Sequence, residues 1–215
     1  MSFTHLAIPA TKPKHNMSRL FTRLLTLALF LAAGSVAAQS ADIVTVGTSS
    51  GTPGATVDIP IYVRDTSGSP LGIDQPSGSR IQGYSIKVNY SPAASVQSVT
   101  FARAGITASL TPTFESSPSA PGSISGVAVF QESTNLIPFV SNALAPGNQI
   151  GVLHFTLHPS AMPGSVTLTL DSTLTQLTNE AGTTNEAVTT ANLTLINGSI
   201  TVTNAPVELQ SFDVE

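Results

Sequence analysis

Residues 83–90, GYSIKVNY, constrain the fold more than any other stretch of this chain. Tyr84, Ile86, Val88 and Tyr90 alternate there with Gly83, Ser85, Lys87 and Asn89. Successive side chains of a strand point to opposite faces, so a period of two predicts a half-buried strand with Tyr84, Ile86, Val88 and Tyr90 inward. Ser91-Pro92 ends it, because proline has no N–H to give to a sheet ladder. A second apolar run through Val96, Val99 and Phe101 follows. A strand with one apolar face needs a second layer to cover it, so the stretch reads as one wall of a β-sandwich.

The same pattern recurs along the chain. Residues 43–46 form an apolar strand, 47–54 a Gly/Ser/Pro turn, and 56–64 an alternating strand with Val57, Ile59, Ile61 and Val63 on one face. Residues 66–79 and 116–122 are rich in Gly, Ser and Pro and read as loops, with weaker strands expected over 104–110 and 111–114 between them. Residues 124–131, ISGVAVFQ, are expected as a strand with Val127 and Val129 inward, followed by a short apolar run at 136–140. Residues 149–158 alternate with Leu153, Phe155 and Leu157 inward, and 165–170 follow a Met-Pro-Gly turn. The segment 171–190 is polar, anchored by Leu174 and Leu177, and 191–203 reads as two short strands around Asn197-Gly198, a tight-turn pair. No segment of helical period follows residue 38, and no tandem repeat is visible. The expectation is an all-β fold, one antiparallel β-sandwich of jelly-roll type over 42–203.

Charge is distributed unevenly. Lys12, Lys14, Arg19 and Arg23 precede the apolar run 24–33, and Val36-Ala37-Ala38 supplies small residues before Gln39. That order is the pattern of a secretory signal peptide over 1–38, and the run is short for a membrane span. Met17 is an alternative start, since the 23 residues from there to Gln39 make a complete leader. The expected division is a leader over 1–38, one sandwich domain over 39–204 and a tail, APVELQSFDVE, over 205–215, with the mature protein secreted or at the cell surface. Beyond the leader only Arg64, Arg80, Lys87 and Arg103 stand against twelve acidic residues, a net of −8. Four scattered cations do not make the grouped basic surface that phosphates demand, which excludes nucleic acid as a partner. No cysteine is present, so the fold is expected to stand without disulfides.

Catalytic signals are few. His154 and His158 are the only histidines beyond the leader, and four residues of strand separate them by about 13 Å, too far to share one metal ion. Asp58, Asp65, Asp74, Glu115, Glu132, Asp171, Glu180 and Glu186 are scattered, whereas a glycosidase needs two carboxyl groups about 5–10 Å apart across a cleft. There is no tryptophan and there are three tyrosines, a poor supply of planar rings for stacking on sugars. No G-x-S-x-G elbow, phosphate loop or Asp-x-Asp-x-Asp-Gly calcium loop occurs. The sequence therefore predicts no catalytic residues, no metal and no cofactor. A binding or scaffolding module is the first reading, a carbohydrate-binding module the second and a hydrolase the third.

Four pieces, VGTSSGTPGATVDIPIYV, YSIKVNYSPAASVQSVTF, GNQIGVLHFTL and NGSITVT, occur in the order and spacing of the cohesin family and cover residues 42–203. The chain resembles cohesins, β-sandwich modules that bind dockerins in bacterial cellulosomes. That resemblance implies a nine-stranded jelly roll and a dockerin-like protein partner. Where the family usually has Tyr-Asp-Pro this chain has Tyr90-Ser91-Pro92, and where cellulosomal members often carry Asn and Asp it has Gly83 and Ser85. In cohesins the partner docks on one face of the sandwich, through outward residues of the strands matching 83–89, 124–131 and 149–158. Alternation then nominates Ser85, Lys87, Asn89, Ala128, Phe130, His154 and Thr156 as partner-binding residues. Phe130 is either an exposed interface anchor or a ring packed under a loop or at the end of the sandwich.

Overall fold

The computed structural model describes residues 40–204, so the expected leader and tail lie outside the described residues. Fourteen strands make two sheets packed face to face. They are β1 (Asp42–Val46), β2 (Thr48–Gly51), β3 (Thr56–Arg64), β4 (Gly83–Ser91), β5 (Val96–Arg103), β6 (Phe114–Ser116), β7 (Ser119–Ala120), β8 (Ser123–Val129), β9 (Asn148–Leu157), β10 (Gly164–Leu170), β11 (Gln176–Thr178), β12 (Asn185–Ala187), β13 (Leu193–Ile196) and β14 (Gly198–Val202). The smaller sheet has the order β13-β1-β3-β9-β5, with β13 parallel to β1 and the other pairs antiparallel.

The larger sheet is built on β4. β8 runs antiparallel along β4 from Gly83 to Asn89. The other edge of β4 is shared end to end by β11, opposite residues 83–85, and β10, opposite residues 88–91. β14 and β2 extend the sheet beyond β10, β12 lies beyond β11, and β6 and β7 lie beyond β8.

The core lies between the sheets, and alternation places it where the pattern of residues 83–90 demands. Tyr84, Ile86, Val88 and Tyr90 of β4 are buried against Val57, Ile59, Ile61 and Val63 of β3 and Leu153, Phe155 and Leu157 of β9 within one apolar cluster. Removing each such side chain from water stabilises by roughly 1.5–3 kcal/mol. Aromatic edges join the layers: Tyr84 meets Phe101 at a centroid distance of 6.4 Å, and Tyr90 meets Phe155 at 5.5 Å.

The structure corrects the sequence reading in several places. β8 has the opposite phase: Ile124, Ala128 and Phe130 are buried, while Val127 and Val129 are half-buried on the outer side. Small residues face inward because the ring of Phe101 fills that space; a Cβ on Gly126 would lie 2.6 Å from Phe101 Cδ2, and one on Gly151 2.5 Å from Phe101 Cε2. Residues 104–110 are not a strand. Gly105–Thr107 make one 3-10 turn, and Arg103 Nη1 donates to the carbonyls of Thr107 and Leu110, at 2.7 and 2.6 Å. Residues 136–140 are also irregular, held by the buried Gln82, whose Oε1 accepts from Ile137 N. Part of the expected turn 47–54 pairs as β2, and the polar segment 171–190 supplies β11 and β12.

Asn197-Gly198 is not a hairpin turn. β13 lies in the smaller sheet and β14 in the larger, so the chain crosses between layers there. Asn197 Oδ1 accepts from Leu170 N, and Gly198 passes against the carbonyl of Gly47 too closely for any side chain.

Candidate functional site: the outer face of the larger sheet

The seven nominated residues do not share a surface. Ser85, Lys87 and Asn89 stand together on the outer side of β4. His154 and Thr156 stand on the outer side of β9, in the other sheet and thus on the opposite side of the sandwich. Ala128 and Phe130 lie between the two, each 0% exposed. Phe130 packs with Tyr84 at a centroid distance of 6.3 Å and cannot anchor a partner without unfolding the core.

Around Ser85, Lys87 and Asn89 the register defines one outer face. Ser125 lies opposite Lys87 and Val127 opposite Ser85 on β8, Thr169 lies opposite Asn89 on β10, and Phe114 on β6 lies opposite Val129. Phe114 is 54% exposed. The turn after β10 braces this face: Asp171 N donates to the carbonyl of Lys87, Lys87 N to Thr175 Oγ1, and Ser85 Oγ to the carbonyl of Leu174. Leu174, 49% exposed, flanks Ser85. Asn89 Nδ2 reaches Asp171 Oδ2 at 3.4 Å. The hydroxyl and amide of Thr173, with Asn89 and Leu174 N, hold the Asp171 carboxyl below its ordinary value, so it stays ionised. Lys87 forms no ion pair among the described residues. The face thus offers one unpaired ammonium, a carboxylate, amide and hydroxyl groups, and the apolar side chains of Phe114, Val127, Val129 and Leu174.

The opposite face is arranged differently. His154 Nδ1 lies 2.6 Å from Asp58 Oδ1 across the β3–β9 pair, with Thr100 in register on the far side. His158 bonds locally to Ser160 instead. The pair is solvent-facing, the His154 side chain 39% and the Asp58 side chain 65% exposed.

A cleft of about 640 Å³ is lined by Ser77, Gly78, Arg80, Glu132, Ser133, Glu180 and Ala181. Its carboxylates are engaged in holding loops: Glu132 Oε2 accepts from Gly78 N, Glu180 Oε2 accepts from Glu132 N, and Arg80 lies 3.8 Å from Glu132. No aromatic ring lines it.

Sequence reasoning missed Phe114, Val127, Val129 and Leu174. Phe114 sat in a stretch without clear alternation, and the valines belong to a strand whose two faces are both apolar in sequence.

No protein-family model matches this chain, and no curated protein matches it. Solved structures do. The seventh ScaB type I cohesin from Pseudobacteroides cellulosolvens superimposes with a TM-score of 0.53 at 18% identity, over 81% of this chain and all of that one. The third ScaC cohesin of Acetivibrio cellulolyticus, solved in complex with the ScaB dockerin, gives 0.53 at 18% identity over 75% of this chain and 98% of its own. The domain has the cohesin fold. A non-cellulosomal cohesin from the archaeon Archaeoglobus fulgidus, at 12% identity and a TM-score of 0.50, shares it over 76% of this chain and 92% of its own. The cohesin-like sandwich is thus common to chains of very different sequence.

Proposed function

We propose that this cohesin-like domain is a secreted, non-catalytic module that binds a dockerin-like protein partner through the outer face of β8, β4 and β10. The observation that carries the reading is the composition of that face: exposed Phe114 and Leu174 and half-buried Val127 and Val129 border the unpaired Lys87. Exposed aromatic and aliphatic groups around a few polar ones are what a protein interface buries. The solved complexes of cohesins with dockerins support the class of partner. The signal-peptide pattern of residues 1–38 supports export. A carbohydrate-binding role has less support, since among the described residues Phe114 is the one aromatic ring exposed on this face and none lines the cleft.

The test is affinity capture from the secreted proteins of the producing organism, followed by titration of the recovered protein against Lys87→Glu/Val127→Asp and against His154→Ala/Thr156→Ala. The reading expects binding to be lost in the first variant and kept in the second. Recovery of insoluble polysaccharide-bound domain instead, with no protein partner, would favour the second reading.

A further inference from the structure

The smaller sheet ends in a strand that differs from the other edges of the molecule. The order β13-β1-β3-β9-β5 leaves β5 with β9 as its one partner. The other strands paired along one side only, β2, β6, β7, β12 and β13, have two to four residues each, whereas β5 has eight. Short edge strands are one way in which a sheet avoids pairing with another chain; proline and lysine are others, and β5 contains neither. Its one charge, Arg103, lies at the end of the strand, with the guanidinium committed to the carbonyls of Thr107 and Leu110 and to Glu115.

The register shows which backbone groups face outward. Ala104 N donates to the Ile150 carbonyl at 3.2 Å, and in an antiparallel ladder the bonded pairs recur every second residue. Ala102–Val152, Thr100–His154 and Ser98–Thr156 are thus the bonded pairs. The bond from Leu157 N to the carbonyl of Ala55 fixes the same alternation on the far side of β9. Val99, Phe101 and Arg103 therefore point their N–H and C=O away from β9. Among the described residues none of these groups has a hydrogen-bond partner. The side chains of Val99 and Phe101 are buried in the core, which holds the strand in place. Exposed Gln97, Ser98 and Thr100 and half-buried Ala102 are all uncharged. The other sheet stops short of the start of this edge, leaving a groove of about 320 Å³ between residues 96–99 and 119–121.

We propose that β5 pairs antiparallel with β5 of a second copy of this chain, about a twofold axis at Thr100, so that the two smaller sheets become one. A strand laid antiparallel on itself is self-complementary: Val99 and Phe101 exchange N–H···O=C bonds with Phe101 and Val99 of the second copy. Thr100 then lies opposite Thr100 of the second copy in a closely spaced non-bonded pair, where two threonines are favourable. Each chain carries a net −8 beyond the leader, and an uncharged strand is where two such chains meet without repulsion. The axis stands perpendicular to the joined sheet. The outer faces of both larger sheets therefore stay free and turn to the same side.

The experiment is sedimentation velocity on the full chain across a dilution series, with amide hydrogen exchange read residue by residue at both ends of it. The expected result is a dimer at about 100 µM that dissociates on dilution, since a single strand pair is a small interface. Val99 and Phe101 amides should exchange about tenfold more slowly in the dimer, while Thr100 and Ala102, already bonded to β9, stay slow throughout. Thr100→Lys sets two ammonium groups against each other at the axis and should weaken the dimer by about tenfold or more, with an unchanged melting temperature in dilute solution. Thr194→Lys, on β13 at the other edge of the same sheet, should leave the dimer intact. A chain that stays monomeric throughout, including one that takes an extended segment of another protein on this edge, would overturn the proposal. So would a dimer in which Val99 and Phe101 exchange as fast as in the monomer, or one that Thr194→Lys breaks and Thr100→Lys does not.

Discussion

β4 and β8 lie side by side and share seven registered residue pairs, yet one is legible in the sequence and the other misleads. In β4 the large apolar residues all fall on one parity and the polar ones on the other, so the inward face is unambiguous. In β8 both parities are apolar. The inward set, Ile124, Gly126, Ala128 and Phe130, looks weaker than Val127 and Val129 because two of its members are small. They are small because Phe101, reaching over from β5, occupies their share of the core. Local hydrophobicity reports whether a side chain could be buried; which parity is buried depends on what the facing sheet leaves room for.

The sharpest way to break that comparison is at Phe130 and Val127, two apolar residues of one stretch with opposite surroundings. Phe130→Ala should cost about 3–5 kcal/mol, read as a lowered midpoint in urea, because it empties a fully buried aromatic site. Val127→Ala should cost less than about 1 kcal/mol. Comparable losses at both positions would mean that the phase of β8 is wrong. A smaller effect is expected from Gly126→Ala, whose new methyl meets the Phe101 ring and should cost about 1–3 kcal/mol by over-packing.

The buried carboxyls of Asp42 and Glu186 offer a second contrast with β4, now in pH. Burial raises both Asp42, to about 6, and Glu186, to about 9 from 4.5; the contact between them pushes Glu186 further up and holds Asp42 down. The folded state therefore keeps a proton that the unfolded chain has lost over that window. Stability should fall as pH rises from about 4.5 towards about 9 and level off above, with a slope of at most about 1.4 kcal/mol per pH unit for each proton. Glu186→Gln should flatten the slope. A native chain whose urea midpoint rises between pH 5 and 8 would contradict protonation of the Asp42–Glu186 pair.

The fold was largely legible because the strands that carry the core, β3, β4 and β9, are long and each has one polar face. Short strands such as β2, β11 and β12 were not, since their pairing is decided by neighbours distant in sequence. The candidate site was half legible. Ser85, Lys87 and Asn89 follow from the parity of β4, but His154 and Thr156 were grouped with them although β9 lies in the other sheet. Alternation says which way a residue points relative to its own sheet and nothing about which sheet that is. The buried carboxyl pair had no local signal: Asp42 and Glu186 lie 144 positions apart in the sequence and meet only through the fold.

The two outer faces are the comparison on which the functional account turns, and the smallest structural change gives the cleanest reading of it. Neither Lys87→Glu nor His154→Ala touches the core, and both should leave the melting temperature within about 2 °C of the native value. The decisive measurement is the affinity of each variant for the captured partner by calorimetry. A loss of at least tenfold for Lys87→Glu with no change for His154→Ala is the result expected of a partner seated on β8, β4 and β10; unchanged affinity at Lys87 with a loss at His154 would place it on the opposite sheet.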